Sequence, residues 1–233
     1  MERGTSVKLR FHRTLPVLLA LAILATGCQA VKRVKVGYYL APGGIPSDMT
    51  RVVFLPLVNH SPYPTASEGM TGAIAQAIQG TKLFHLEVAP PADAAYACLP
   101  PDGQSPFTLK QLGDLRQSLG CDAVLVGVVN QFQPYPHMRG GIYIRLVDLR
   151  TGRLIWAVDH VWDTADERVR RRIQEFFERE LGKSTDPLQW RLATVSPQAF
   201  DRFVAYEVAA TLPRRLGDPT ATVSLQQARA QKL

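Results

Sequence analysis

The 233-residue sequence predicts an α/β fold: a single domain with a mixed β-sheet packed by helices, plus a carboxy-terminal helix. Three observations carry this expectation. Short apolar runs rich in β-branched residues alternate with segments of helical period. Helix-start signals recur ahead of those segments. One long apolar run, "DAVLVGVVNQF", has the character of a strand buried on both faces.

The first strand is predicted at "RVVFLPLVN", where Val52 to Val58 is an apolar run with β-branched members. A helix follows in "TASEGMTGAIAQAIQG". Thr65 and Glu68 match the S/T-x-x-E capping box, Met70, Ala73, Ile74, Ala77 and Ile78 share one face, and Gly80 suits the stop. "LFHLEV" alternates Phe84, Leu86 and Val88 against His85 and Glu87, as a half-buried strand does. "APPADAAYACLPPDGQSP" reads as a Pro-rich loop.

In the second helix Thr108 and Gln111 repeat the capping box, Leu109, Leu112, Leu115 and Leu119 form the stripe, and Gly120 ends it. "DAVLVGVVNQF" is then the central strand. "GIYIRLVDLRTGRLIWAVDHVW" is a β-hairpin, with Ile142, Ile144 and Leu146 on one arm and Leu154, Trp156 and Val158 on the other. Gly152 is available for a left-handed turn position.

A third capping box, Thr164 to Glu167, opens a helix with Val169, Ile173, Phe176 and Leu181 on one face. Arg168, Arg170, Arg171, Arg172, Glu175, Glu178, Arg179 and Glu180 cover much of the rest. Mixed signs at helical spacing read as a solvated face with local ion pairs; a basic cluster for an acidic partner is the alternative. Ser196 and Pro197 start the last helix, whose core face is Phe200, Phe203, Val204 and Val208.

Upstream of all this, Lys8, Arg10 and Arg13 precede the apolar "LPVLLALAILA". A basic segment, a short apolar core and small residues make a secretory signal. The run falls short of the roughly 20 residues of a spanning helix. It ends in Ala25-Thr26-Gly27-Cys28, which resembles the lipobox of bacterial lipoproteins, with Ala25 where Leu is usual. The resemblance implies cleavage before Cys28, a diacylated thiol and an acylated amine. At about 0.8 kcal/mol per buried CH₂, several acyl chains on one cysteine make a permanent anchor. Gln29, in place of Asp, resembles lipoproteins sent to the outer membrane, facing the periplasm. An ordinary signal peptide with an accidental cysteine is the alternative.

The chain therefore divides into a lipoprotein signal peptide (1–27), a lipidated tether (28–50), the α/β domain (51–182), a carboxy-terminal extension with its helix (183–212) and a tail (213–233) that reads as mobile. In the tether, Lys32, Arg33 and Lys35 either touch anionic head groups or belong to a solvated linker. The formal charge is +7, of which the leader supplies a net +3 (Arg3, Lys8, Arg10 and Arg13 against Glu2), leaving near +4. That is too little to argue for nucleic acid.

With the elements placed, "RVVFLPLVNHS", "SEGMTGAIAQAI", "KLFHLEV", "LGCDAVLVGVVNQF" and "IRLVDLRTGRLIWA" resemble the CsgG-like envelope lipoproteins. That group includes the curli secretion lipoprotein and the lipoprotein activators of penicillin-binding proteins, and the amino-terminal domain of TolB is similar. The resemblance spans roughly Arg51 to Leu181 and implies a fold more than a role. A secretion pore needs alternating membrane strands of about 9 to 11 residues. No extra pair of such hairpins interrupts the core elements, which disfavours a pore and leaves ring assembly and homo-oligomers open.

Chemical motifs are sparse. The sequence holds no Gly-rich phosphate loop, G-x-S-x-G elbow, H-E-x-x-H or Cys-x-x-Cys. His60, His85, His137 and His160 are scattered without ligand spacing, so no metal or cofactor is expected. Cys98 and Cys121 either pair in an oxidising compartment or remain buried thiols.

Two loops share Pro-Tyr-Pro: "NHSPYPT" after the first strand and "NQFQPYPHMR" after the central one. If those strands are parallel neighbours, Tyr63 and Tyr135 emerge at the carboxyl edge of the sheet, where open α/β sheets present ligand sites. They would form a pre-ordered contact patch; otherwise the prolines simply stop each strand. The expected function is that of a non-enzymatic, membrane-anchored envelope lipoprotein acting as a protein-interaction or assembly module. The alternatives are a subunit of an oligomeric secretion or transport ring, and an enzyme whose site assembles only in the fold.

Overall fold

Seven strands form one mixed sheet in the computed structural model, which describes residues 36–90, 94–100, 102–180, 191 and 194–213. In chain order the elements are β1 (Tyr38–Leu40), β2 (Arg51–Phe54), β3 (Val58–Asn59), α1 (Ala66–Gly80), β4 (His85–Val88), a 3₁₀ turn (Ala94–Cys98), α2 (Leu109–Leu119), β5 (Ala123–Gln133), β6 (Arg139–Asp148), β7 (Leu154–Asp163), α3 (Glu167–Glu180) and α4 (Pro197–Ala209). The strand order is β1-β7-β6-β5-β2-β4, with β3 also beside β5. β2 runs parallel to β4 and β5, and β3 parallel to β5. β5, β6, β7 and β1 are successively antiparallel.

Period-two alternation divides the apolar residues between two faces. Val52, Phe54, Leu125, Ile144, Leu146, Trp156 and Val158 face a large core closed by Met70, Ile74 and Ile78 of α1, Ile173 and Phe176 of α3, and Phe200, Phe203 and Val204 of α4. Val53, Leu55, Val124, Val126 and Val147 face a smaller core under Leu112 and Leu115 of α2. β5 is the strand buried on both sides, as its continuous apolar run predicts. The carboxy-terminal helix α4 belongs to the main core.

Several local expectations need correction. The sheet begins ahead of Arg51: Tyr38, within the stretch read as tether, pairs with Val158, and Leu40 with Trp156. The first strand is broken in two. Phe54 pairs with Leu125, yet Val58 pairs with Val128, so four residue steps oppose three. Pro56 lies in this bulge, where it has no N–H to offer a ladder. The Leu57 N–H instead donates to the buried Thr71 hydroxyl of α1 at 3.0 Å. Thr65 does not cap α1 with its side chain, because its own backbone is already helical. The left-handed residue after α1 is Lys82 (φ 55°), two positions past Gly80.

The capping box of α2 is complete, with Gln111 N–H donating to Thr108 Oγ1 at 3.3 Å and Thr108 N–H to Gln111 Oε1 at 2.8 Å. Gly120 (φ 56°) ends the helix as expected. Leu109 leaves the stripe, 89% exposed, whereas Leu112 and Leu115 are buried in the small second core and Leu119 packs against it. α3 starts at Glu167; Thr164 is buried, and the Asp166 carboxylate accepts the Arg168 N–H at 2.7 Å. Arg172, expected on a solvated face, points inward to Glu207.

Candidate functional site: the carboxyl edge of the sheet

The two Pro-Tyr-Pro loops leave parallel neighbouring strands, β3 and β5, at their carboxyl ends. The first loop is a clasp built on Asn59. Its Oδ1 accepts from Ser61 N–H at 2.9 Å and from Ser61 Oγ at 2.7 Å, an Asx turn. Its Nδ2 donates to the Tyr63 carbonyl at 2.7 Å, and that same carbonyl accepts from Ala66 N–H at 3.1 Å. The Tyr63 backbone is thus held from both sides, between the end of β3 and the start of α1.

The Tyr63 ring meets Phe132 edge-on, with centroids 5.8 Å apart. Phe132 reaches it because of a bulge in β5. Ala123, Leu125 and Val129 face the main core, and the register shifts between Val129 and Gln131. That extra residue reverses the alternation, so Phe132 joins the same core while Gln131 and Gln133 are exposed. Opposite Phe132 stands Gly140, where a Cβ would come within 2.7 Å of the Phe200 ring. Tyr63 remains 38% exposed and Tyr135 71%. Gln133 Nε2 donates to the Tyr135 carbonyl at 2.7 Å, tying the second loop to its strand.

A second loop crosses the other face. Arg145 of β6 is buried, and its guanidinium donates to the carbonyls of Gln104 (2.7 Å) and Ser105 (2.5 Å) while lying 4.8 Å from the Phe107 ring centroid. Gly103 (φ 64°) lies so close to Val128 that a Cβ would not fit. The Asp102 carboxylate accepts from Ser105 Oγ and from the Ser105 and Gln104 N–H groups, which hold it well below the usual carboxylate range, at about 2. Arg145 therefore pins the Pro-rich loop onto the sheet.

The remaining expected residues fall elsewhere. Cys28 lies outside the described residues. Cys98 is half-buried and Cys121 buried, both against the smaller core and both free thiols; burial pushes the Cys121 thiol up. Asp122, next to Cys121, accepts from Thr50 N–H, Thr50 Oγ1 and Arg51 N–H, so it fastens the start of β2 to that of β5. Among the described residues no group of three His, Cys, Asp or Glu side chains is placed to hold a metal ion. No described helix is long and apolar enough to cross a membrane.

The sequence reading missed Asn59, Phe132 and Arg145. An Asn at the end of a strand and two residues before Ser is a recognisable Asx-turn signal. The bulge that turns Phe132, and the loop that meets Arg145, leave no comparable local mark.

No protein-family model matches the sequence, and no curated protein does. The fold is similar to several solved structures. A PelC dodecamer from Paraburkholderia phytofirmans is 14% identical, with 55% of this chain and 81% of that chain covered and a TM-score of 0.40. Lipoprotein GNA1162 from Neisseria meningitidis is 19% identical over 60% of this chain and 100% of that one, with a TM-score of 0.38. The LpoB C-terminal domain from Salmonella enterica is 15% identical over 48% and 82%, with a TM-score of 0.34. These likenesses do not single out the curli-secretion group among the families that the sequence resembles.

Proposed function

We propose that this chain is a non-enzymatic, lipid-anchored envelope protein that recognises a protein partner through the Tyr63–Tyr135 edge of its sheet. The observation that carries the reading is the bracing of this edge. Tyr63 is exposed yet fixed by Asn59 and Phe132, and Tyr135 stands out from a loop tied back by Gln133. Large amphipathic rings on pre-ordered loops lose little entropy on binding, as interface anchors require. The anchor in this reading is acylated Cys28, and Gln29 directs the protein to the outer membrane.

The test is crosslinking and affinity capture from intact envelopes, comparing the native chain with Tyr63→Ala, Tyr135→Ala and the double variant. Each single change is expected to weaken capture by about 1–2 kcal/mol, the scale of an interface hot spot, with little loss of fold stability. Full capture by the double variant ends the reading. A large, discrete oligomer of the detergent-extracted chain, with no second protein captured, would favour the ring subunit instead.

A further inference from the structure

We propose that the β1 edge, flanked by Tyr38 and Tyr39, rests in the headgroup layer of an anionic bilayer, so that the domain lies against the membrane that anchors it. This rests on the reading of Cys28 as the acylated anchor and goes beyond it, since a tethered domain can also hang free in solution.

Length is the first argument. Val36 is buried in the main core, so the chain is fixed to the domain from that residue onward. Eight residue steps separate it from Cys28. Even fully extended, they reach at most about 29 Å. The anchor therefore holds the β1 end of the sheet within a domain's width of the bilayer.

Charge and surface agree with this. Residues 29–35 include Lys32, Arg33 and Lys35 and no acid, and each basic residue close to an anionic surface adds about 1 kcal/mol of attraction. Among the described residues β1 is the last strand on its side of the sheet. Its neighbouring tyrosines point to opposite faces and are each 46% exposed, so they straddle the outer edge. Tyrosine, apolar in its ring and polar at its tip, suits the headgroup level. Pairing with a foreign strand is the competing use of an edge, but β1 offers only three residues, below the commonest strand length of about 5–6. Asp159, the exposed acid beside this edge, sits on β7, one strand further in.

The experiment uses the acylated full chain on vesicles of phosphatidylethanolamine and phosphatidylglycerol. The chain already holds Trp156, Trp162 and Trp190, so a Tyr39→Trp reporter is read as the difference from the chain with Tyr39 under the same conditions. The reporter chain should float with the vesicles, emit further to the blue than the same reporter on a Cys28→Ser background, and lose emission to headgroup-region quencher lipids. Hydroxyl-radical footprinting of the unsubstituted chain gives a second readout: labelling of Tyr38 and Tyr39 falls on vesicles, while Tyr135 stays labelled. Flotation with unshifted, unquenched emission and unchanged labelling overturns this inference alone. Failure of the wild-type chain to float overturns the anchor reading and this inference with it. Protection of both tyrosines in concentrated, vesicle-free Cys28→Ser protein assigns the edge to a second copy, and also overturns it.

Discussion

Arg172 of α3 and Glu207 of α4 form an almost wholly buried ion pair, with Arg172 Nε 2.8 Å from Glu207 Oε1 and Arg172 Nη2 donating to Oε2 at 3.0 Å. The Trp162 indole N–H of β7 donates to the same carboxylate at 2.7 Å. One carboxylate therefore joins two helices to the sheet. Removing only one partner of a buried pair strands the other charge, which costs about 3–5 kcal/mol. Glu207→Ala should lose stability on that scale in urea unfolding. The double change Arg172→Met, Glu207→Leu should recover part of it, because the Trp162 N–H still loses its acceptor. Equal losses for the single and double variants would contradict the stranded-charge account.

Asp201 of α4 is buried at its contact with α1, its Oδ2 lying 2.6 Å from where a Cβ of Gly69 would stand. Its Oδ1 has no hydrogen-bond partner, and burial raises its carboxyl to about 7. A carboxyl raised on folding binds more protons folded than unfolded, so its contribution falls as pH rises from about 4 to 7. His160, lowered by burial and then by Arg172, works in the opposite sense, losing stability as pH falls through its ordinary range. Comparison with Asp201→Asn isolates the acid. The variant should gain on wild type by a few kcal/mol between pH 4 and pH 8, read by urea unfolding at both. A difference that does not change with pH counts against this assignment.

Thr71 accepts the Leu57 N–H and donates to the Ser67 carbonyl at 2.6 Å. Thr71→Val keeps the shape but leaves the Leu57 N–H buried and unpaired, at a cost of about 1–3 kcal/mol. Thr71→Ser should keep most of the stability. A Val variant as stable as wild type would mean that the bulge finds another acceptor.

Cys98 is partly exposed, whereas Cys121 is buried with its thiol pushed up. In the folded protein without reductant, an alkylating reagent should therefore modify Cys98 well before Cys121, since the thiolate is the reactive form. Peptide mapping after timed quenching reads the order. Recovery of neither modified residue, even after unfolding without reductant, would show instead that the two are paired.

Most element types, the central place of β5 and the hairpin of β6 and β7 were legible in the sequence, because they follow from apolar periodicity and from short-range turn chemistry. Gly120 and Gly152 both take the left-handed conformations expected of them (φ 56° and 70°). The sequence also marked both Pro-Tyr-Pro loops. What braces them, and what the charged residues do, depends on packing between distant segments. A bulge at Asn130 turns Phe132 under Tyr63, and a bulge around Pro56 needs Thr71 from the next helix. Arg172 and Arg145 look like surface charges in the sequence, yet their partners lie 35 and about 40 positions away. The same limit hid β1, three residues that pair with β7. Periodicity reports which way a side chain faces within its own element; its partner is set by register and packing between distant segments, which no local pattern encodes.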